Sequence, residues 1–427
     1  IADVSHYVKP NTILDREAYL RGTSVYLVDR VIPMLPEVLS NKLCSLRPGE
    51  EKYTFSAIFV INKKNKIEKE WFGKTIIRSD HRFSYDEVQY VLENNKVDIQ
   101  EHLSANGKPY KINENVFNAL HKLNKISKNL RKKRKEKGSL LFDKLDINFK
   151  LDKEKNPESV LLNASKDSNN LIEEFMLLAN KRVAKLMSNK SKKEFVFRVH
   201  DKPDQEKLTN LKEVVENLGY KFSHNSKNIN KNLNTLLKES KGKKEQNLID
   251  TLMIRSMSKA VYATENIGHY GLAFNHYTHF TSPIRRYPDI LVHRMIESYL
   301  KKNNKEDIFL LKDACIHCSY REQIATKAER DTIKYMQVKF MEKKIGKKYK
   351  GIISGVSERG LYVEINENKC EGFVKISEIE GDYFYFNEKT HSLDGRTTKI
   401  KLQLGDPVKV IIKKADLMRR QIDFHLE

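Results

Sequence analysis

The chain has 427 residues, enough for two or three domains with cores of their own, which excludes a peptide or a small disulfide-stapled scaffold. With 79 Lys and Arg against 57 Asp and Glu it carries +22 at pH 7 and should seek polyanions: nucleic acid, acidic proteins or an anionic surface. Four cysteines (Cys44, Cys315, Cys318 and Cys370) are too few for a disulfide framework and suit a reducing, cytoplasmic setting, and no apolar run approaches the roughly 18 residues of a membrane helix.

The sequence opens on IADV, with no initiator Met and no basic stretch ahead of an apolar one, so it reads as a chain entered inside a strand. Alternating and β-branched runs predict strands over residues 52–61, 67–78, 145–151 and 195–200. Between them, apolar residues at helical spacing predict helices. One covers 117–137, with Phe117, Leu120, Leu123, Ile126 and Leu130 as its stripe, and runs into the cations Arg131 to Lys137. Another covers 171–188, with Ile172, Phe175, Met176, Leu178 and Ala179 on the buried side. Further helices are expected at 247–262 and 309–342. Residues 223–246, rich in Lys, Asn and Ser, read as an exposed helix–loop insertion with solvated charges.

This interleaving predicts a mixed α/β domain over residues 1–344. Past Gly346 the chain changes to short alternating segments punctuated by glycine, and five strands in so short a span predict a closed OB-type barrel over 345–427. From residue 345 onward there are 15 Lys and Arg against 13 Asp and Glu, so nearly all the positive charge belongs to the first domain.

The densest chemistry lies in HFTSPIRRYPDILVHR, residues 279–294. Thr281 or Ser282 is a suitable N-cap with Pro283 in the first helical position, which would put Arg285 and Arg286 in a first turn where cations oppose the helix dipole. A bound phosphate would relieve that conflict; pairing with Asp289 would do so equally well. The pair Cys315 and Cys318 lacks a second pair of zinc ligands at suitable spacing and reads as two small buried residues of a helix. His200 and Asp201 read as a structural strand end.

Several segments together resemble the ribonuclease II family of exoribonucleases: IADVSHYV (1–8), GTSVYLVDRVIPMLPEVLSNKLCSL (22–46), RFSYDEV (82–88), LIEEFMLLAN (171–180), FRVHDKP (197–203) and GLAFNHYTHFTSPIRRYPDILVHR (271–294). The terminal barrel resembles the S1-type RNA-binding domain carried by that family. The resemblance implies a processive 3′-to-5′ exoribonuclease that threads single-stranded RNA, opens structured RNA from an overhang and releases nucleoside 5′-monophosphates, with Mg²⁺ held by an aspartate cluster activating water. In the family that cluster precedes the segment matching Ile1 to Val8. No two aspartates of this chain stand closer than three positions, so the chain as given is expected to bind RNA without cleaving it.

Residue by residue, the resemblance implies that Arg285 clamps the scissile phosphate, with Arg286 its substitute, and that Tyr85 helps hold the 3′-terminal nucleotide. It implies that Tyr26 and Phe142 stack the terminal bases and that Glu173 meets a ribose hydroxyl, rejecting DNA. In the barrel, Gly360, Tyr362 and Phe373 fall on the RNA-facing surface, Lys375 stands where many such domains carry a His, and Leu361 replaces a frequent Gly or Phe. Read without the family, each aromatic is ordinary packing, Glu173 a solvated helix carboxylate, and the basic run to Lys137 either a solvated face or a rim that draws RNA in. The alternative function is a catalytically inactive RNA-binding or ribosome-associated protein.

Overall fold

The computed structural model describes residues 1–427 except 141–144, 191–193, 224–228, 244, 303–310, 389 and 391. Residues 1–3 lie antiparallel to 53–55 through the Ala2–Thr54 bridge and lead into α1 (Val4–Tyr7), which Asp3 caps. Helix α2 (Ile13–Arg21) is capped by Thr12 and stops at Gly22, whose φ of +69° and 2.7 Å clearance to Arg321 Cβ leave no room for a side chain. A two-stranded ladder, β1 (Val25–Tyr26) with β2 (Val31–Ile32), follows. The long hairpin β3 (Glu51–Ile61) and β4 (Ile67–Arg78) turns through Asn65 in the left-handed region.

Ser84 and Glu87 close a capping box on α3 (Tyr85–Asn94), and the short pair β5 (Asp98–Ile99) and β6 (Tyr110–Lys111) leads to α4 (Glu114–Glu136). The hairpin β7 (Leu145–Leu151) and β8 (Pro157–Ala164) precedes α5 (Asp167–Lys190). Strand β9 (Phe197–Val199) pairs with the distant β10 (Val261–Ala263) across a bundle of α6 (Gln205–Asn217), α7 (Ile229–Ser240) and α8 (Gln246–Ser256). Helices α9 (Tyr287–Leu300) and α10 (Leu311–Glu342) complete the first domain. Its described strands pair in twos and pack among helices instead of joining one layered sheet.

Helix α9 is the centre of this domain: Ile290, Val292, His293 and Ile296 are fully buried, against Val4 of α1, Phe55 of β3 and Val183 of α5. A second core joins Leu208 and Leu211 of α6, Leu233 and Leu236 of α7, and Ile249 and Met253 of α8. Residues 223–246 are therefore not a merely solvated insertion. The leucine pair of α7 gives that segment one apolar stripe, which the bundle buries at about 1.5–3 kcal/mol per leucine.

Other expectations shift. The helix expected over 247–262 ends at Ser256, and the β-branched and aromatic run after it forms β10. On α4, Phe117 and Leu120 pack as expected, yet Leu123 is exposed and the fully buried positions are Asn124, Ser127 and Arg134. On α5, Ile172 is exposed while Glu174 and Asn180 are buried. In both helices buried polar side chains, of which Ser127, Arg134, Glu174 and Asn180 are hydrogen-bonded, take places that periodicity alone gives to apolar ones.

Strands β11 (Lys348–Ser357), β12 (Gly360–Ile365) and β13 (Glu371–Lys375) begin the terminal barrel. A separate sheet of β14 (Phe384–Asn387), β15 (Ser392–Gly395) and β16 (Lys401–Gln403) is inserted before β17 (Pro407–Asp416) and β18 (Gln421–Leu426). The barrel closes in the order β11-β12-β13-β18-β17. Its core, which includes Leu361, Val363, Val374, Ile412 and Phe424, also takes in Val338, Phe340 and Met341 from the end of α10.

Candidate RNA-binding site

The arginine run is ordered differently from the sequence expectation. Helix α9 starts at Tyr287 with Pro288 in its first turn, so Thr281, Ser282 and Pro283 lie in the loop before it and both arginines precede the helix. The acidic residue of that first turn is Asp289, fully buried and favoured by the helix dipole. Arg286 gives it Nε and Nη2, each at 2.8 Å, and Ser282 N–H adds a third bond at 2.7 Å. Burial by itself would lower the Arg286 pKa, but the Asp289 carboxylate outweighs it and holds the guanidinium above the ordinary arginine range. The dipole conflict inferred from the sequence does not arise, and Arg286 is committed to a structural pair.

Arg285 is half-buried, and among the described residues its guanidinium has no carboxylate partner. Its backbone is fixed: the carbonyl accepts from Ser24 N–H and from Thr23 Oγ1, both at 3.0 Å, and Tyr287 N–H donates to Gly22 O at 2.9 Å. The segment around residues 22–24 therefore splints the arginine loop. Tyr26 lies on the same extended segment, about 10 Å beyond Thr23. Its backbone N–H is held by Glu329 of α10 at 3.1 Å, while the residue stays 46% exposed.

Helix α5 links the remaining candidates. Asn180 Nδ2 donates to Tyr277 Oη at 3.2 Å, and Asn180 Oδ1 accepts from Phe280 N–H at 2.9 Å, pinning the segment that leads into the arginine loop. Two turns earlier, on the same face, stands Glu173. It is half-exposed and receives Arg134 Nη2 at 3.0 Å, while the adjacent buried Glu174 receives Arg134 Nε at 3.1 Å. Arg134 Nη1 continues to Ser139 Oγ, which donates to Gly271 O. Burial pushes the Glu174 carboxyl up against the opposing pull of Arg134.

One turn before Glu173, Asn169 lines a polar cleft of about 550 Å³ together with Tyr85, Asn163 and Ser168. Tyr85 is the first residue of α3 and is 53% exposed. Helix α5 thus carries Asn169 beside the Tyr85 cleft, Glu173 one turn on, and Asn180, which holds the segment leading into the arginine loop, two turns beyond that. Phe142 lies outside the described residues. Arg134, Glu174 and Asn180 were missed by sequence reasoning; a polar residue on the apolar side of a helix is the only signal that could have found the last two.

In the barrel, Tyr362 and Phe373 are a direct cross-strand pair with ring centroids 5.1 Å apart, facing outward. Tyr362 is 42% exposed and its ring lies across Gly355. Lys375 is exposed at the end of β13, the strand of Phe373, and lies 3.7 Å from Glu378. Leu361 points into the core, so its substitution for a frequent Gly or Phe does not alter the outer face.

The other chemical groups are structural. Cys315 and Cys318 are buried in α10, and burial pushes the Cys315 thiol up to about 12. Their neighbour His317 stacks on Tyr19 and bonds to its carbonyl at 2.8 Å. His200 bridges Ser258 O and Gly271 N–H, as suits a strand end. Asp3, in the IADVSHYV run, is taken by Ser5, His6 N–H and Lys74. Among the described residues no three His, Cys, Asp or Glu side chains converge to hold a metal ion, so these residues do not fit magnesium.

Residues 1–302 match the RNB domain and residues 342–427 the S1 RNA binding domain, and the chain belongs to the RNB-domain family. It is 37% identical along its whole length to the ribonuclease R of Aquifex aeolicus (strain VF5) and spans 59% of that protein. The apo form of Mycoplasma genitalium RNase R matches all of this chain with a TM-score of 0.91 at 29% identity, over 66% of its own length. The same enzyme in complex with ribose methylated single-stranded RNA matches equally well.

Proposed function

We propose that the chain forms the RNA-gripping part of a processive, magnesium-dependent 3′-to-5′ exoribonuclease that acts on single-stranded RNA, and on structured RNA from a 3′ overhang, and yields nucleoside 5′-monophosphates. The observation that carries the reading is the contrast within the arginine pair. Arg286 is neutralised by a buried carboxylate, whereas Arg285 is held by its backbone and its guanidinium has no carboxylate partner among the described residues, as a phosphate clamp requires. The relatives named ribonuclease R, and the RNA bound to one of them, support the substrate class.

In this reading Arg285 grips the scissile phosphate and stabilises the charge that grows on it. Tyr26 stacks bases without regard to sequence, Tyr85 bounds the space for the terminal nucleotide, and Glu173, oriented by Arg134, accepts a ribose 2′-hydroxyl. Tyr362 and Phe373 offer bases a second stacking face, with Lys375 near the backbone. The residues of this chain contribute grip, orientation and discrimination.

The test is a 5′-labelled single-stranded RNA and its DNA counterpart given, with magnesium or with chelator, to the complete exoribonuclease of which the chain is proposed to be a part, with the 427-residue chain run alongside. A ladder shortening from the 3′ end only with RNA and metal supports the exonuclease. RNA that is shifted in a gel but stays intact favours the inactive RNA-binding reading. Wherever turnover is measured, Arg285→Ala should lower it about a hundredfold or more while affinity changes far less; equal losses would remove the clamp role.

A further inference from the structure

Two segments left outside the proposed site meet in space. The cationic run of α4 and the Lys- and Asn-rich α7 face each other across a groove of about 430 Å³. One wall carries Lys128, Arg131, Lys132 and Lys135, at the i, i+3, i+4, i+7 spacing of a single helix face. The other carries Lys238 and Lys241, one turn apart. No acidic side chain lines the groove among the described residues.

Like charges opposed across a concavity repel more than the same charges spread on a convex face, because the low-dielectric walls concentrate the field. Some of the cations are engaged at the edges: Lys128 with Asp167 at 2.7 Å, and Arg131 with Asn170. Lys132, Lys135 and Lys238 are exposed and point no charge at a carboxylate within ion-pair distance among the described residues. The bundle core under α7 holds this arrangement in place through Leu233 and Leu236. The opposed rows are therefore part of the fold and not a chance approach of flexible side chains.

We infer that the groove between α4 and α7 binds the phosphodiester backbone of single-stranded RNA at a place separate from the Arg285 site. The inference rests on the proposed function for its choice of polyanion. The wall from Lys128 to Lys135 runs about 10 Å along the helix axis, which matches about three phosphates at the roughly 3.4 Å rise of a stacked strand. With no aromatic side chain in its lining among the described residues, the groove reads charge and not base. Helix α4 is shared by the two sites: Arg134 turns inward to Glu173, while its neighbours Lys132 and Lys135 line the groove. A strand engaged at both places would be held at two points.

The experiment is fluorescence anisotropy of the 427-residue chain with 5- and 30-nucleotide single-stranded RNAs over a range of salt. It compares the K132Q/K135Q/K238Q variant, its K132R/K135R/K238R counterpart and Tyr26→Ala, with thermal melts as a check on folding. The glutamine variant should lose about tenfold in affinity for the 30-mer and flatten its log–log salt slope by about 2, near 0.7 per lost phosphate contact. The 5-mer should respond little, and the arginine variant should keep the wild-type slope. An unchanged 30-mer slope in a folded glutamine variant that still responds to Tyr26→Ala would overturn the groove and leave the proposed function standing. Competition by poly-glutamate as effective as by RNA would also overturn it, in favour of an acidic protein partner. Absence of RNA binding by the wild-type chain would sink both readings.

Discussion

The first domain and the barrel present their candidate contacts on opposite physical terms. In the first domain Arg285 and Glu173 are placed by buried polar frames: Asp289 with Arg286 on one side, Arg134 with Glu174 on the other. In the barrel Tyr362 and Phe373 merely stand on the outside of a closed apolar cylinder, set by strand register. A buried ionic frame specifies geometry but is costly to interrupt, since each partner left alone is an unpaired charge away from water. Outer residues of a barrel can be changed with little effect beyond their own contacts.

The largest expected effect that would break this contrast is Asp289→Ala. Leaving Arg286 buried without its anion should destabilise the first domain by about 3–5 kcal/mol, read as a drop in its denaturation midpoint, with barrel melting unaffected. A loss under about 1 kcal/mol would mean that the frame does not hold the loop.

Acid should act next most strongly, and again on one domain. Burial lowers the pKa of His293 to about 4, of His269 to about 3, and of His279 well below its usual value. Between those folded-state values and the ordinary 6.5 of histidine, the unfolded chain binds protons that the folded chain refuses, so stability is full above about 6.5 and falls as pH drops below it. Three such residues should remove about 4 kcal/mol by pH 5.5. Urea titrations at pH 7.5, 6.5 and 5.5 would show it; equal acid sensitivity of the barrel would blur the distinction.

Smaller still, Tyr362→Ala should weaken single-stranded RNA binding by about 1–3 kcal/mol with a melting temperature unchanged within error, as expected for an exposed stacking residue. By contrast Gly360→Ala places a Cβ 2.0 Å from Val374 O at a φ of +144°, and should lower barrel stability with little direct effect on RNA contacts.

The same contrast explains what could be read from the sequence. Strands 67–78 and 145–151 stand where alternation put them, as does the closed five-stranded barrel, because half-buried strands write their register into every second residue. The start of α9 was misplaced because Thr281, Ser282 and Pro283 carry a complete capping signature, while the true start is set by Asp289 reaching back to Arg286 and Ser282. Arg134 was indistinguishable from its basic neighbours, since only packing against α5 selects it for burial. Family resemblance pointed to Arg285 over Arg286. That Arg286 is paired with Asp289, while Arg285 has no carboxylate partner among the described residues, appears only in three dimensions.

Helix α10 spans 32 residues, about 48 Å, with Cys315 and Cys318 in the first domain's core and Val338, Phe340 and Met341 in the barrel's. It is a beam anchored at both ends and not a tether. Tension on an RNA strand held by the barrel would be transmitted along that beam as load on the first domain, through Glu329, which meets the backbone of Tyr26 partway along its length.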